Sequence, residues 1–226
     1  MPEGSNVEVA HHLSEHEHGF RAEPWQEKIE IVEVIILAIV AIATAWSGYQ
    51  AARWDGKQAF DYGTSSRLHT QANDASILGG QQKLLDISTF NTWIQAKQDG
   101  NEQLAALYVK RFSPEYRVAF DAWLKTHPFT DPNAPPGPSF MPEYHNSQTE
   151  MAEELNAQGT EVFNEGTEAR ETADKYIRQT VLFALALFLI AIAQRFRYKG
   201  VRIAAVALAG SVAVLGLIGV IGLPRI

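Results

Sequence analysis

The apolar positions of this chain crowd into three stretches, with a long polar interval between the first and the second. Residues 31–45 read IVEVIILAIVAIATA, interrupted only by Glu33. Extended to residue 52, the stretch reaches 22 residues, enough for ~30 Å of helix at about 1.5 Å per residue. Trp25 precedes it, and Trp46 and Tyr49 follow its apolar centre, as aromatics do where a span meets the headgroup layer. A buried helix of a soluble core is the alternative. Residues 177–193 read IRQTVLFALALFLIAIA, and residues 203–223 read IAAVALAGSVAVLGLIGVIGL with no charge at all. The basic, Gly-containing segment 194–202 joins these two into a hairpin. The pattern predicts an all-α integral membrane protein with three transmembrane helices, at 25–52, 177–193 and 203–223.

The interval 53–176 predicts a helical extramembrane domain. Ala52, Ala59, Ser66 and Asn73 recur every seven residues and suggest a small-residue helical seam. Gly79-Gly80 reads as a break or kink. Leu84, Leu85, Ile87, Phe90, Trp93 and Ile94 give a helical face, Asp99-Gly100 a turn, and Leu104, Leu107, Tyr108 and Phe112 a further helix. Ser113-Pro114-Glu115 reads as an N-cap with Pro in the first helical turn. That helix carries Val118, Phe120, Trp123 and Leu124 and ends before Pro128. Residues 128–142 hold six of the ten prolines and read as an irregular loop. Met151, Leu155, Val162, Ala169, Ala173 and Tyr176 then lie near one stripe of a helix that runs unbroken into the second apolar stretch. The extensions of spans one and two would form part of the domain as an antiparallel stalk. Residues 1–24, acidic and His-rich, read as a mobile tail.

The layout and the run Ala-Trp-Ser-Gly-Tyr-Gln-Ala-Ala-Arg-Trp closing the first span (residues 45–54) resemble bacterial membrane proteins classed only under a domain of unknown function. That resemblance implies a bacterial inner membrane and carries no activity or site residues.

Composition narrows the function. A net charge of −7 argues against a nucleic-acid partner, which needs clustered Lys and Arg. The chain has no cysteine, so thiolate metal sites and cysteine nucleophiles are excluded. The mean hydropathy of −0.14 averages over the apolar stretches and hides them. Arg195, Arg197, Lys199 and Arg202 place the hairpin turn in the cytoplasm by the positive-inside rule. The N-terminus is then cytoplasmic and the helical domain extracytoplasmic. Arg53, Lys57 and Arg67 on the outer flank of span one, against Arg21 and Lys28 on the inner, argue the other way.

Three groups of residues are candidates for chemistry. His11, His12, His16 and His18, with Glu15, have imidazoles at i and i+4 that could share a divalent metal; a solvated polar tail is the plainer reading. Glu30 and Glu33 lie on neighbouring turns. Glu33 enters the apolar stretch, where a carboxylate is costly and a functional candidate; in an oligomer the pair would ring a pore mouth. Otherwise Glu33 reaches the interface or bonds a Ser or Gln. Ala205, Ala209 and Ala213, then Gly216, Gly219 and Gly222, let helices approach closely, within the chain or between copies. No nucleotide loop, zinc-protease or hydrolase motif is present, and His69, His127 and His145 are scattered. No catalytic residue and no cofactor is expected. The leading reading is a non-enzymatic membrane-anchored protein that self-associates and offers its domain to a protein partner. The alternatives are a homo-oligomeric cation channel, with Ser47, Gly48 and Gln50 along its path, and a metal-responsive accessory protein.

Overall fold

The computed structural model describes residues 24–226; the His cluster of the tail lies outside them. The described residues form α1 (Pro24–Gln98), α2 (Glu102–Val109), α3 (Pro114–Leu124), a 3₁₀ turn (Pro138–Phe140), α4 (Ser147–Ala193) and α5 (Lys199–Ile221), with no strand among them. α1, α4 and α5 each hold a stretch long and apolar enough to cross a membrane. In the most apolar windows only 17%, 28% and 28% of residues are buried inside the protein. So much outward apolar surface does not suit helices of a soluble core.

The described chain divides into two compact units. One holds α1 up to Gly56 together with Ala169–Ile226; the other is Lys57–Glu168.

The first unit packs three helices along heptad rows. α1 buries Glu33, Val40 and Ser47, and also Ala43 and Gln50; α4 buries Tyr176, Phe183 and Ile190; α5 buries Arg202, Val206, Ala209, Ala213, Gly216 and Val220. The α5 spacings alternate four and three, the rhythm that keeps one face on its neighbours. α5 begins at Lys199, so the connection is shorter than the 194–202 expected. Beyond α5 the Pro224 carbonyl accepts from Trp54 Nε1 at 3.2 Å and from the Tyr176 hydroxyl at 3.0 Å.

The second unit pairs the α1 and α4 segments antiparallel. Ser65 Oγ donates to the Gly159 carbonyl at 2.7 Å, and Tyr62 meets Thr167 at 3.3 Å. The small-residue seam of α1 lies one residue before the expected row. Ser65, Ala72 and Gly79 are buried, whereas Ala52, Ala59, Ser66 and Asn73 are exposed. On α4, Ala152, Gly159 and Gly166 face inward at the same spacing and Met151 is exposed. Nor does Gly79-Gly80 break the helix, since α1 runs through it to Gln98. A Cβ at Gly79 would lie 2.7 Å from Thr149 Oγ1 and 2.9 Å from Asn146 Oδ1. That glycine therefore serves close approach, and Asn146 Nδ2 donates to its carbonyl at 3.2 Å. The same Asn146 caps α4, accepting from Thr149 N at 3.0 Å.

Gly100 turns the chain after α1 at φ +69°, a backbone conformation that is strained for residues with a side chain. Ser113 caps α3, its hydroxyl accepting from Tyr116 N at 3.2 Å. Phe90, Trp93, Phe112, Tyr116, Phe120 and Trp123 form an aromatic core. Trp93 and Phe120 meet edge to face at 4.8 Å, a favoured aromatic geometry. Trp123 Nε1 donates to the Pro135 carbonyl at 2.7 Å and so pins the Pro-rich loop.

Candidate functional site

The charged centre of the first unit is Glu33, 1% exposed. Its carboxylate is met by a side chain 169 residues away. Arg202 Nε donates to Oε1 and Nη2 to Oε2, each at 2.9 Å. This is the two-pronged guanidinium–carboxylate arrangement, which fixes orientation as well as charge. Both residues are placed by the heptad rows: Glu33 begins the α1 series 33, 40, 47, and Arg202 begins the α5 series 202, 206, 209. Glu30 lies 3.8 Å from the same guanidinium and is 62% exposed at its side chain, so it contributes little. A cavity of about 370 Å³ opens beside the pair, lined by Glu30, Glu33, Val34, Gln194 and Arg202. Close to the same turn, Lys199 Nζ stands 5.2 Å from the centre of the Trp25 ring, a cation–π distance.

This geometry changes what Glu33 can do. A pore-mouth carboxylate needs oxygens free to meet cations, and both oxygens of Glu33 are engaged by Arg202. Its bonding partner is an arginine rather than the Ser or Gln expected. Ser47 and Gln50, expected along a path, are buried in the seam between helices of one chain, and Gly48 is exposed. Gln50 Oε1 accepts from Ile226 N at 3.3 Å.

Of the small residues, Ala209, Ala213 and Gly216 are buried within the first unit, Ala205 and Gly219 are half-buried, and Gly222 is exposed. Gly216 faces Phe183 and Gly219 faces Gln179. No group of three or more His, Asp or Glu suited to a metal occurs among the described residues. His69 pairs with Asn156 at 2.7 Å and His145 with Glu150 at 3.0 Å. His11, His12, His16 and His18 fall outside the described residues.

Two features were missed in the sequence. Its neighbours in sequence group Arg202 with the basic turn, although three helices in sequence bring its end of α5 back beside the start of α1. A carboxylate in an apolar stretch requires a partner, and that requirement pointed to it. The second is Asp86 of the other unit, 2% exposed. It accepts from Ser113 N at 3.3 Å and Ser113 Oγ at 3.0 Å. Burial raises its pKa, against the lowering effect of the Ser113 hydrogen bonds.

Comparison with protein-family models, with curated proteins and with solved structures finds no match to this chain. Its function is therefore argued from its own residues.

Proposed function

We propose that this is a non-enzymatic, multi-pass protein of a bacterial inner membrane whose helical domain works outside the bilayer as an assembly module joining copies of the chain. The observation that carries this reading is a row of large aliphatic side chains on the outward face of α1 in the second unit. Ile77, Leu78, Leu84 and Leu85 are 50%, 54%, 69% and 65% exposed. They repeat at seven-residue spacing, as Ile77/Leu84 and Leu78/Leu85. An otherwise polar helix segment that presents such a row supports a partner surface. Copies anchored in one bilayer share an orientation, so a two-fold axis along the membrane normal would bring the row against itself in register.

The test is the mass of the full-length protein in nanodiscs. Wild type should assemble, and Leu78→Glu/Leu84→Glu should be a folded monomer with an unchanged helical spectrum. A monomeric wild type across the micromolar range overturns the reading. The cation-channel alternative has less support, since Glu33 is paired and Ser47 and Gln50 are buried within one chain. The metal-responsive alternative rests on the tail alone.

Orientation is tested separately. Arg195 and Arg197 between α4 and α5, with Lys199 at the start of α5, support a cytoplasmic hairpin loop. A reporter fused after Ile226 should be active only outside, and one inserted at Gly200 only inside. Cytoplasmic activity of the C-terminal fusion would invert the arrangement.

A further inference from the structure

We propose that the cleft between α1 and the Pro-rich loop in the second unit is a binding site for a small aromatic carboxylate. This site stands apart from the assembly role. The cleft has a volume of about 330 Å³ and is lined by Lys83, Ile87 and Phe90 of α1, Tyr116 of α3, and Ser139 and Phe140 of the loop, among others. Small-molecule sites begin at roughly 300 Å³ and combine apolar walls with a few placed polar groups. Here the apolar floor is preformed. Phe90 stacks on Trp93 at 5.8 Å and meets Trp123 edge-on at 5.1 Å. The backbone of Gly137 rests on its ring, where an added Cβ would come 3.4 Å from Cε1.

Two polar groups await a ligand. The Tyr116 side chain is fully buried, and its hydroxyl has no hydrogen-bond partner. The Ser139 hydroxyl is close enough to favour the tyrosinate without making a hydrogen bond to it. An orphaned buried hydroxyl destabilises the fold, a cost that a bound acceptor would remove. Lys83 is exposed at the rim and makes no ion pair among the described residues. A carboxylate offers acceptors to both groups. Phe140 stands 71% exposed on the loop; an aromatic ring in the cleft would cover it and lie along Ile87 and Phe90, as aromatic pairs favour. The charge of the ligand is limited to one. Asp86 and Tyr116 interact electrostatically, so a buried carboxylate already stands nearby, and a single lysine does not offset a doubly charged phosphate as well.

The experiment uses the full-length protein in nanodiscs and three probes: phenylacetate, phenylacetamide without the charge, and acetate without the ring. Calorimetry should show saturable phenylacetate binding at least about tenfold tighter than either of the others, a difference of ~1.4 kcal/mol. Lys83→Gln should abolish the preference for phenylacetate over phenylacetamide. Tyr116→Phe should weaken phenylacetate binding while leaving the melting temperature unchanged or raised, because it removes an unpaired buried hydroxyl. No saturable phenylacetate binding at millimolar concentration overturns the proposal. So does binding indifferent to Lys83→Gln. A Tyr116→Phe variant that is less stable yet binds phenylacetate as wild type does would make the hydroxyl structural, and would overturn it equally.

Discussion

Arg202→Ala is expected to destabilise the three-helix unit by about 3–5 kcal/mol, the usual cost of removing one partner of a buried ion pair. The carboxylate left behind is 1% exposed, and Arg202 supplies both of its short hydrogen bonds. The two halves of the pair are unequal. Arg202 lies in the first turn of α5, and its long side chain can turn toward the headgroup region once Glu33 is gone. Glu33→Gln should therefore cost clearly less than Arg202→Ala. The double variant Glu33→Leu/Arg202→Leu should recover most of the stability, because an apolar pair of similar volume avoids desolvating two charges. Thermal unfolding of wild type, Glu33→Leu, Arg202→Leu and the double variant in one lipid environment closes a double-mutant cycle. Additive single-variant effects, with the double variant the worst of the set, would show that the pair is not coupled.

The same pair marks where the sequence could be read and where it could not. The three apolar stretches and the Ser113 cap follow from patterns a few residues long. Residue type sets them locally: an unbroken apolar run, and a hydroxyl followed at once by Pro. The Gly100 turn belongs to the same class. The partner of Glu33 is a long-range fact. It becomes legible only when the heptad rows of α1 and α5 are written out together and seen to begin at 33 and 202. The one-residue offset between the expected and the buried α1 seam has a different cause. Ala, Ser and Asn occur on both faces of α1, so the small-residue row 52, 59, 66, 73 is as regular as the buried row 65, 72, 79. Small size alone does not say which row faces α4; Gly159 and Gly166 do, because His69 and Tyr62 pack onto them. Gly79 shows the remaining ambiguity. Glycine is used both to break a helix and to let another segment touch it, and only the position of Thr149 decides between them. The cleft at Tyr116 had no sequence signal. It depends on where a proline-rich loop lies, and an irregular loop has no period to read.

Gly216→Ala should destabilise the three-helix unit by about 1–3 kcal/mol, the range for overpacking a filled core, and Gly216→Ile by more. The added Cβ would lie 2.6 Å from Phe183 Cε1, 3.0 Å from Cδ1 and 3.1 Å from Cζ. These are atoms of a rigid ring that is itself fully buried, so it has nowhere to swing. Other glycines in the same unit provide the contrast. A Cβ at Gly48 meets nothing within 4 Å, so Gly48→Ala should be neutral or stabilising by up to about 1 kcal/mol, the helix-propensity difference. At Gly219 the new Cβ would meet the Gln179 carboxamide at 2.6–2.7 Å. That group ends a flexible side chain whose Oε1 has no hydrogen bond to lose, so Gly219→Ala should fall between the two. Phe183→Leu introduced beside Gly216→Ala should recover part of the loss by giving the methyl room. This ordering separates packing within one chain from packing between copies. Were Gly216 a contact between copies, Gly216→Ala would lower the assembled mass and leave the monomer as stable as Gly48→Ala does. Contact with Phe183 of the same chain predicts the reverse: a less stable fold at every protein concentration, with the mass of the surviving folded protein unchanged.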